Sequence, residues 1–417
     1  MSDQIYLLKD AAAWNSGSLE DLQLADGALI LKEDCYTGQY VSREFECAAF
    51  EALAASWNAQ TPLGSAVQVQ VRVKTGGVWG AWLDYGQWST HQASAGKNAE
   101  DASARLEEGV VRVKDACGQA FQLRAVLHAN ELGVSPRLRL LCASVQEIRH
   151  QADAGEPLYH RSVSAPGYSL HVRDPKLSDG MDLAVAVTSL MNRWGEDVLP
   201  EETAYACRAG GEVQGPAYAA AYAGSYGYEC YAAFCDAAQL KCDVKNGFAS
   251  AVQIRDGSGL RWVCVRGFDT DNDGQVQTVL GLDSNAASDG DTACSWTLDE
   301  FCRLWTGLAV LLHERTEVEW APERMPGELK HAELPGEYTL YLKGERSSLP
   351  VDAGAFTVCY TVKDGRAYAT TAHKHFYYTQ VSPTGNLRLD VQTVPAGARL
   401  TVYIIRRGTA VVATMTL

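Results

Sequence analysis

The chain has 417 residues, 47% of them hydrophobic and 21% charged, enough sequence for two or three buried cores and without a low-complexity block that would read as a disordered tail. Its formal charge of -15, with no basic cluster to offset it locally, repels phosphate backbones and anionic lipid, so nucleic acid is excluded as a partner. The 12 cysteines are irregularly spaced, the start Met1-Ser-Asp-Gln-Ile-Tyr6 has no signal-like pattern, and no run of about 18 apolar residues occurs, so reduced thiols, a cytoplasmic location and no membrane insertion are expected.

From Asp3 to about Val145 short runs alternate apolar and polar residues, as in Ala66-Val-Gln-Val-Gln-Val-Arg-Val-Lys74 and Gly109-Val-Val-Arg-Val-Lys114, the pattern of an antiparallel β-sandwich over residues 1–150. Its aromatic residues Trp79, Trp82, Tyr85 and Trp88 fit either core positions or a stacking platform for sugars or peptides. Gln151 to Pro157 reads as a linker.

The period then changes. Met181 to Trp194 is apolar nearly all round and stops at Gly195, a buried helix with a glycine end. Further helical signals cover Glu201 to Cys207 and Asp299 to Thr306, with strand-like Ala249–Ile254 and Arg261–Arg266 between them, so residues 160–315 are expected to form an α+β domain. After the charged, Pro-containing stretch Glu314 to Pro335, alternation returns in Tyr338–Leu342, Phe356–Val362 and Leu400–Ile405, which predicts a smaller antiparallel β-sandwich over 330–417.

Four stretches in the central segment, Thr188-Ser-Leu-Met-Asn-Arg-Trp-Gly195, Ala221-Tyr-Ala-Gly-Ser-Tyr-Gly227, Val265-Arg-Gly-Phe268 and Asp299-Glu-Phe-Cys-Arg-Leu-Trp305, together resemble the papain-like cysteine peptidases of the bacteriocin-processing, double-glycine-leader type. Ser42-Arg-Glu-Phe45 and Gly77-Val-Trp-Gly-Ala-Trp82 are similar to the domain that often precedes that module. The resemblance implies a papain-like fold for the central domain and a cysteine nucleophile at the head of its buried helix, where the dipole and an imidazolium lower the thiol pKa. That position is Asp182 here, and a carboxylate there is first of all a helix N-cap. The implied base position is Arg261, a guanidinium that accepts no proton at neutral pH. No histidine occurs between His171 and His313, and no glutamine between Gln151 and Gln214 to act as oxyanion donor. Asp283 is the counterpart of the third triad member, reached through a three-residue insertion. Two readings of the substitutions stay open: an Asp182–Arg261 salt bridge in place of a thiolate–imidazolium pair, or two solvent-facing residues that drifted.

Other constellations carry less. Asp269-Thr-Asp-Asn-Asp-Gly274 matches the first half of a calcium loop, but its twelfth position is Leu280, so Asp269, Asp271 and Asp273 are a weak calcium candidate against a hairpin turn. His373 and His375 share one strand face without a third ligand nearby. Cys207, Cys230, Cys235, Cys242, Cys264, Cys294 and Cys302 read as small buried hydrophobes. Tyr218, Tyr222, Tyr226 and Tyr228, set among Ala and Gly, are expected to border a ligand-binding cleft. The leading expectation is a pseudopeptidase that keeps this cleft for a peptide or protein segment, with no metal and no cofactor. The alternatives are an active cysteine peptidase pairing a cysteine with His160, His171 or His313, and a carbohydrate-binding or surface-attachment protein acting through the sandwiches.

Overall fold

The computed structural model describes residues 5–62, 65–89, 93–130, 133–147, 159–172, 180–196, 198, 200–209 and 212–318, together with strands of a C-terminal sheet between Met325 and Thr416. It is a β-rich molecule with three main sheets and few helices.

The first sheet is antiparallel throughout and covers Ile5 to Glu147. Two long strands hold it together by changing neighbours along their length. Phe45–Gln60 pairs with Gly118–His128 through Phe45, Glu46 and Phe50, and with Arg137–Glu147 from Phe50 to Gln60. Gly118–His128 pairs along its length with Ala66–Thr75, and the latter pairs with Leu83–Trp88. A sheet that passes its strands on in this way folds over itself and encloses a core, here Trp14, Tyr40, Phe50, Trp57, Trp88 and Phe121, all buried. The alternation in Ala66–Lys74 corresponds to Val67, Val69, Val71 and Val73 pointing inward and Gln68, Gln70 and Arg72 half-exposed.

The second sheet, also antiparallel, runs Tyr228–Phe234, Trp305–Arg315, Ser250–Asp256, Gly259–Thr270, Val276–Leu282, Ala293–Thr297, with Arg161–Ser162 added beside Gly259–Thr270. Both of its faces are buried. Ala251, Trp262, Cys264, Leu308 and Val310 face the helices Asp182–Asn192 and Pro216–Ser225. Val252, Ile254, Val263, Val265 and Leu311 face the other way, in one core with Leu240 and Val244 of the helix Ala237–Asn246 and Phe301 of the helix Leu298–Leu304. The expected helices over 181–194, 201–207 and 299–306 are thus found as Asp182–Asn192, Pro200–Ala206 and Leu298–Leu304. The last opens with a capping box, the Thr297 side chain accepting from Glu300 N and the Glu300 carboxylate accepting from Thr297 N.

Besides the short Ala11–Asn15, two helices of the central segment were not expected. Pro216–Ser225 begins with Gly215 at φ +77 and Pro216 in the first turn, and all ten of its residues are buried. A helix buried on every side has no amphipathic period to read. Ala237–Asn246 has Asp236 as N-cap, accepting from Gln239 N at 2.9 Å, and Gly247 at φ +93 as its left-handed end.

Pro216–Ser225 also joins the first two sheets. It lies between Phe45–Gln60 of the first sheet and Tyr228–Phe234 of the second, and a single hydrophobic core runs from Leu8 and Trp57 through Tyr218 and Tyr222 to Val310 and Leu312. The sheets do divide near residue 150, but the cores do not. The C-terminal strands Gly336–Lys343, Thr357–Lys363, Arg399–Arg406 and Thr409–Thr416 fall in the third sheet, as alternation predicted. That sheet is mixed, because Met325–Gly327 pairs parallel with Thr409–Thr416. His373 and His375 lie outside the described residues.

Candidate functional site

Asp182, Arg261 and Asp283, far apart in sequence, meet at one end of the helix Asp182–Asn192. Gly259–Thr270 passes beneath the first turn of that helix, and Val276–Leu282 beside it delivers Asp283 just past its end. Asp182 Oδ2 accepts the backbone N–H of Trp262 at 2.5 Å. Arg261 spreads its fork over two other carboxylates: Nε donates to Asp256 Oδ2 at 2.6 Å and Nη1 to Asp283 Oδ2 at 2.8 Å. Asp283 is itself fixed, its Oδ1 accepting from Asn285 N at 2.9 Å.

This arrangement matches neither an Asp182–Arg261 salt bridge nor two solvent-facing side chains. Arg261 pairs with Asp256 and Asp283 rather than with Asp182, and its side chain is only 17% exposed, so it has not drifted into solvent. Asp182 stands inside the first helical turn, after Met181 at the cap position, which shows no side-chain capping bond. Its carboxylate ties the helix to the neighbouring strand instead. Burial pushes the Asp182 carboxyl up, against the backbone N–H groups of Trp262 and Leu183 and the nearby Arg261 charge that pull it down. Asp256 is held down to about 2, by its bond from the Ser258 hydroxyl and then by Arg261.

The space at this point is small. Tyr168, Asp182, Ser189, Trp262, Cys264 and Ser284 border a cavity of about 10 Å³, room for about one water. The thiol nearest to it, Cys264, is buried and pushed up to about 12 by desolvation, and the half-buried Cys294 is pushed up to about 12 by the same cause. Neither is a thiolate at neutral pH. The three histidines considered as bases are engaged with carboxylates or exposed: His160 Nδ1 is 3.0 Å from Asp269 Oδ1, His313 Nε2 is 3.3 Å from Asp243 Oδ1, and His171 is exposed on a short 3-10 turn. Among the described residues no cysteine is a partner of any of them.

The four tyrosines expected to line a cleft are in the core. Tyr218, Tyr222, Tyr226 and Tyr228 are 0%, 1%, 7% and 2% exposed. Tyr218 packs edge-on against Trp57 and donates to Tyr85 O at 2.9 Å; Tyr222 and Tyr226 hydroxyls are 3.1 Å apart; Tyr228 donates to Glu196. They join the first sheet to the second. The small residues among them are there for close approach, since a Cβ on Gly224 would stand 2.3 Å from Asn58 Nδ2.

Asp269, Asp271 and Asp273 form a hairpin turn between Gly259–Thr270 and Val276–Leu282. Asp271 Oδ1 accepts from the N–H groups of Asp273 and Gln275, and its Oδ2 from Gln277 Nε2, so the carboxylate is spent on the turn. Among the described residues no three His, Cys, Asp or Glu side chains converge as a metal site would require. On the first sheet, Tyr85 and Trp88 are core, whereas Trp79 and Trp82 are half-exposed. Their rings are covered: Arg72 stacks on both, at 4.7 Å and 4.6 Å, and Arg124 on Trp82 at 4.5 Å. Rings occupied by guanidinium groups are not a free stacking platform.

The N-terminal sheet is what comparison with known families identifies. Residues 8–145 match the Peptidase C39 N-terminal domain. The match spans 138 of 417 residues and relates the chain to C39-type peptidases through that domain. No curated protein matches the chain. No helix among the described residues is long and apolar enough to cross a membrane.

Proposed function

We propose that this protein is a peptidase-like protein without peptidase chemistry, in which the triad positions have become a structural ion network. The observation that carries the reading is the meeting of Asp182, Arg261 and Asp283 at one helix end, where the guanidinium is fixed between Asp256 and Asp283 and the carboxylate accepts a backbone N–H. Acyl transfer needs a nucleophile, a base within hydrogen-bond reach and an oxyanion donor. A half-buried carboxylate tied to a backbone N–H and a permanently charged guanidinium supply neither of the first two. A cavity of about 10 Å³ leaves no room for a scissile bond. A peptide or protein segment remains the partner this reading implies, but not through the tyrosines of Pro216–Ser225, which are buried.

The test is labelling of the full chain with a cysteine-directed activity probe, together with cleavage of a pool of fluorogenic peptides. The wild-type protein is expected to be silent in both, and the double variant Asp182→Cys, Arg261→His is expected to gain labelling because Asp283 already stands beside position 261. Cleavage by the wild type overturns the reading.

A further inference from the structure

A second cleft lies on the seam between the first and second sheets, away from the Asp182 cavity, with a volume of about 200 Å³. Its walls come from both sides of the seam: Lys9, just past Ile5–Leu8, and Arg139 from the first sheet, Gly224 from the helix Pro216–Ser225, Gly227 from the turn that follows it, and Tyr228 and Glu229 from the second sheet. The two glycines form a wall without side chains. Gly227 is at φ +96, and a Cβ there would stand 2.0 Å from Thr316 O, so both the conformation and the space require glycine.

Arg139 is placed by a β-bulge. Along the pairing of Arg137–Glu147 with Phe45–Gln60, Leu138 faces Ala59 and Leu140 faces Asn58, so Arg139 is the extra residue on its strand and its side chain leaves the regular alternation. It has no hydrogen bond or ion pair among the described residues. The other charged groups at this seam are matched. Lys9 Nζ is 2.6 Å from Glu229 Oε2, Arg137 pairs with Asp26 at 3.2 Å, and Arg315 pairs with Glu196 at 2.7 Å beside Tyr228. Among the described residues the cleft therefore carries one uncompensated guanidinium, in a chain of charge -15. Burial pushes the Arg139 guanidinium down, with the Arg137 charge adding to the same effect. A half-buried cation with no counter-charge is costly unless something supplies one.

We propose that this cleft is a binding site for a small molecule carrying a carboxylate or phosphate group, gripped by the free fork of Arg139. A planar guanidinium offers two parallel N–H donors to either anion, and Lys9 adds a second positive charge at the rim once Glu229 is drawn aside. The volume suits a compact anion rather than a peptide segment. This inference stands apart from the reading of the Asp182 site and does not depend on it.

The experiment is calorimetric titration of the full chain at low ionic strength with inorganic phosphate and, separately, with succinate, which distinguishes the two anion chemistries. One-to-one binding of at least one of them is expected. Arg139→Gln should weaken it on the order of tenfold to a hundredfold, as the loss of a charge-assisted pair predicts. Glu229→Gln should tighten it, because a competing carboxylate leaves the rim. If Arg139→Gln does not fold, Glu229→Gln still decides. Failure of both anions to bind, binding unchanged in Arg139→Gln, or binding unchanged in Glu229→Gln overturns the proposal.

Discussion

Arg261 is held by two carboxylates with a third close by, and the four groups respond differently to loss. Arg261→Ala would leave Asp256 and Asp283, with side chains 23% and 20% exposed, facing each other without a cation. We expect a cost of about 1–3 kcal/mol, read as a shift of the urea midpoint, since these groups retain some water. Asp182→Asn should behave in the opposite way. The Asp182 carboxyl is raised in the folded protein, so its contribution is present at pH below its unfolded value of about 3.8 and is lost as pH rises through the folded value. An amide in its place can still accept from Trp262 N and escapes that loss. The variant should match or exceed wild-type stability at pH 7, and the difference should close as pH falls toward 3. Asp256 has the reverse sign. Its folded value of about 2 gives stability that is complete above the ordinary carboxylate range and is lost as pH falls toward 2. Asp256→Asn should therefore flatten the acid limb of the stability profile between about pH 4 and 2.

The helix Pro216–Ser225 is the element on which the two sheets depend. Its small face lets it lie against Phe45–Gln60, where Asn58 donates to Ala220 O at 3.3 Å and to Cys230 O at 2.6 Å, and also accepts from Cys230 N. That one amide side chain bridges a strand of the first sheet, the helix and a strand of the second. Gly224→Ala puts a methyl group into the Asn58 side chain, which its bonds to Ala220 O and to both backbone groups of Cys230 hold in place. We expect it to cost about 1–3 kcal/mol, measured by thermal denaturation, as overpacking in a closed seam does. The conformational freedom of glycine is not the reason at this position; the space is.

At the scale of the molecule, a core shared by Trp57, Tyr218, Tyr222 and Val310 couples the C39-related N-terminal domain to the central sheet. Residues 5–318 should unfold in one cooperative step, with fluorescence and circular dichroism transitions that coincide. A fragment of residues 1–150 would expose Leu140 and Cys142, which now share a core with Tyr231 and Ala233, and the side of Trp57 that packs against Tyr218. The fragment is expected to bind a hydrophobic dye and to aggregate; a monomeric, dye-silent fragment would show that the seam is an ordinary domain interface.

The sequence by itself determined the principal strands and three of the helices, because strand alternation and helix period record which side of an element is dry. Ala66–Lys74 and Met181–Trp194 could be read for that reason, and Ser42–Phe45 and Gly77–Trp82 fall within the stretch that matches the C39 N-terminal domain. It also named the three residues that meet at the helix end, but only through a family resemblance, since nothing in their spacing brings positions 182, 261 and 283 together. Partner choice was decided by tertiary structure. Arg261 had several carboxylates within reach in principle, and the register of Gly259–Thr270 against its neighbours put Asp256 and Asp283, not Asp182, at its fork. The tyrosines of 218–228 read as a cleft because Tyr among Ala and Gly describes any surface where chains approach closely, wet or dry. Only the position of the helix between two sheets made that surface dry. Arg139 gave no sequence signal at all, since its place depends on one extra residue in a strand pairing, which exists only once the two strands have met.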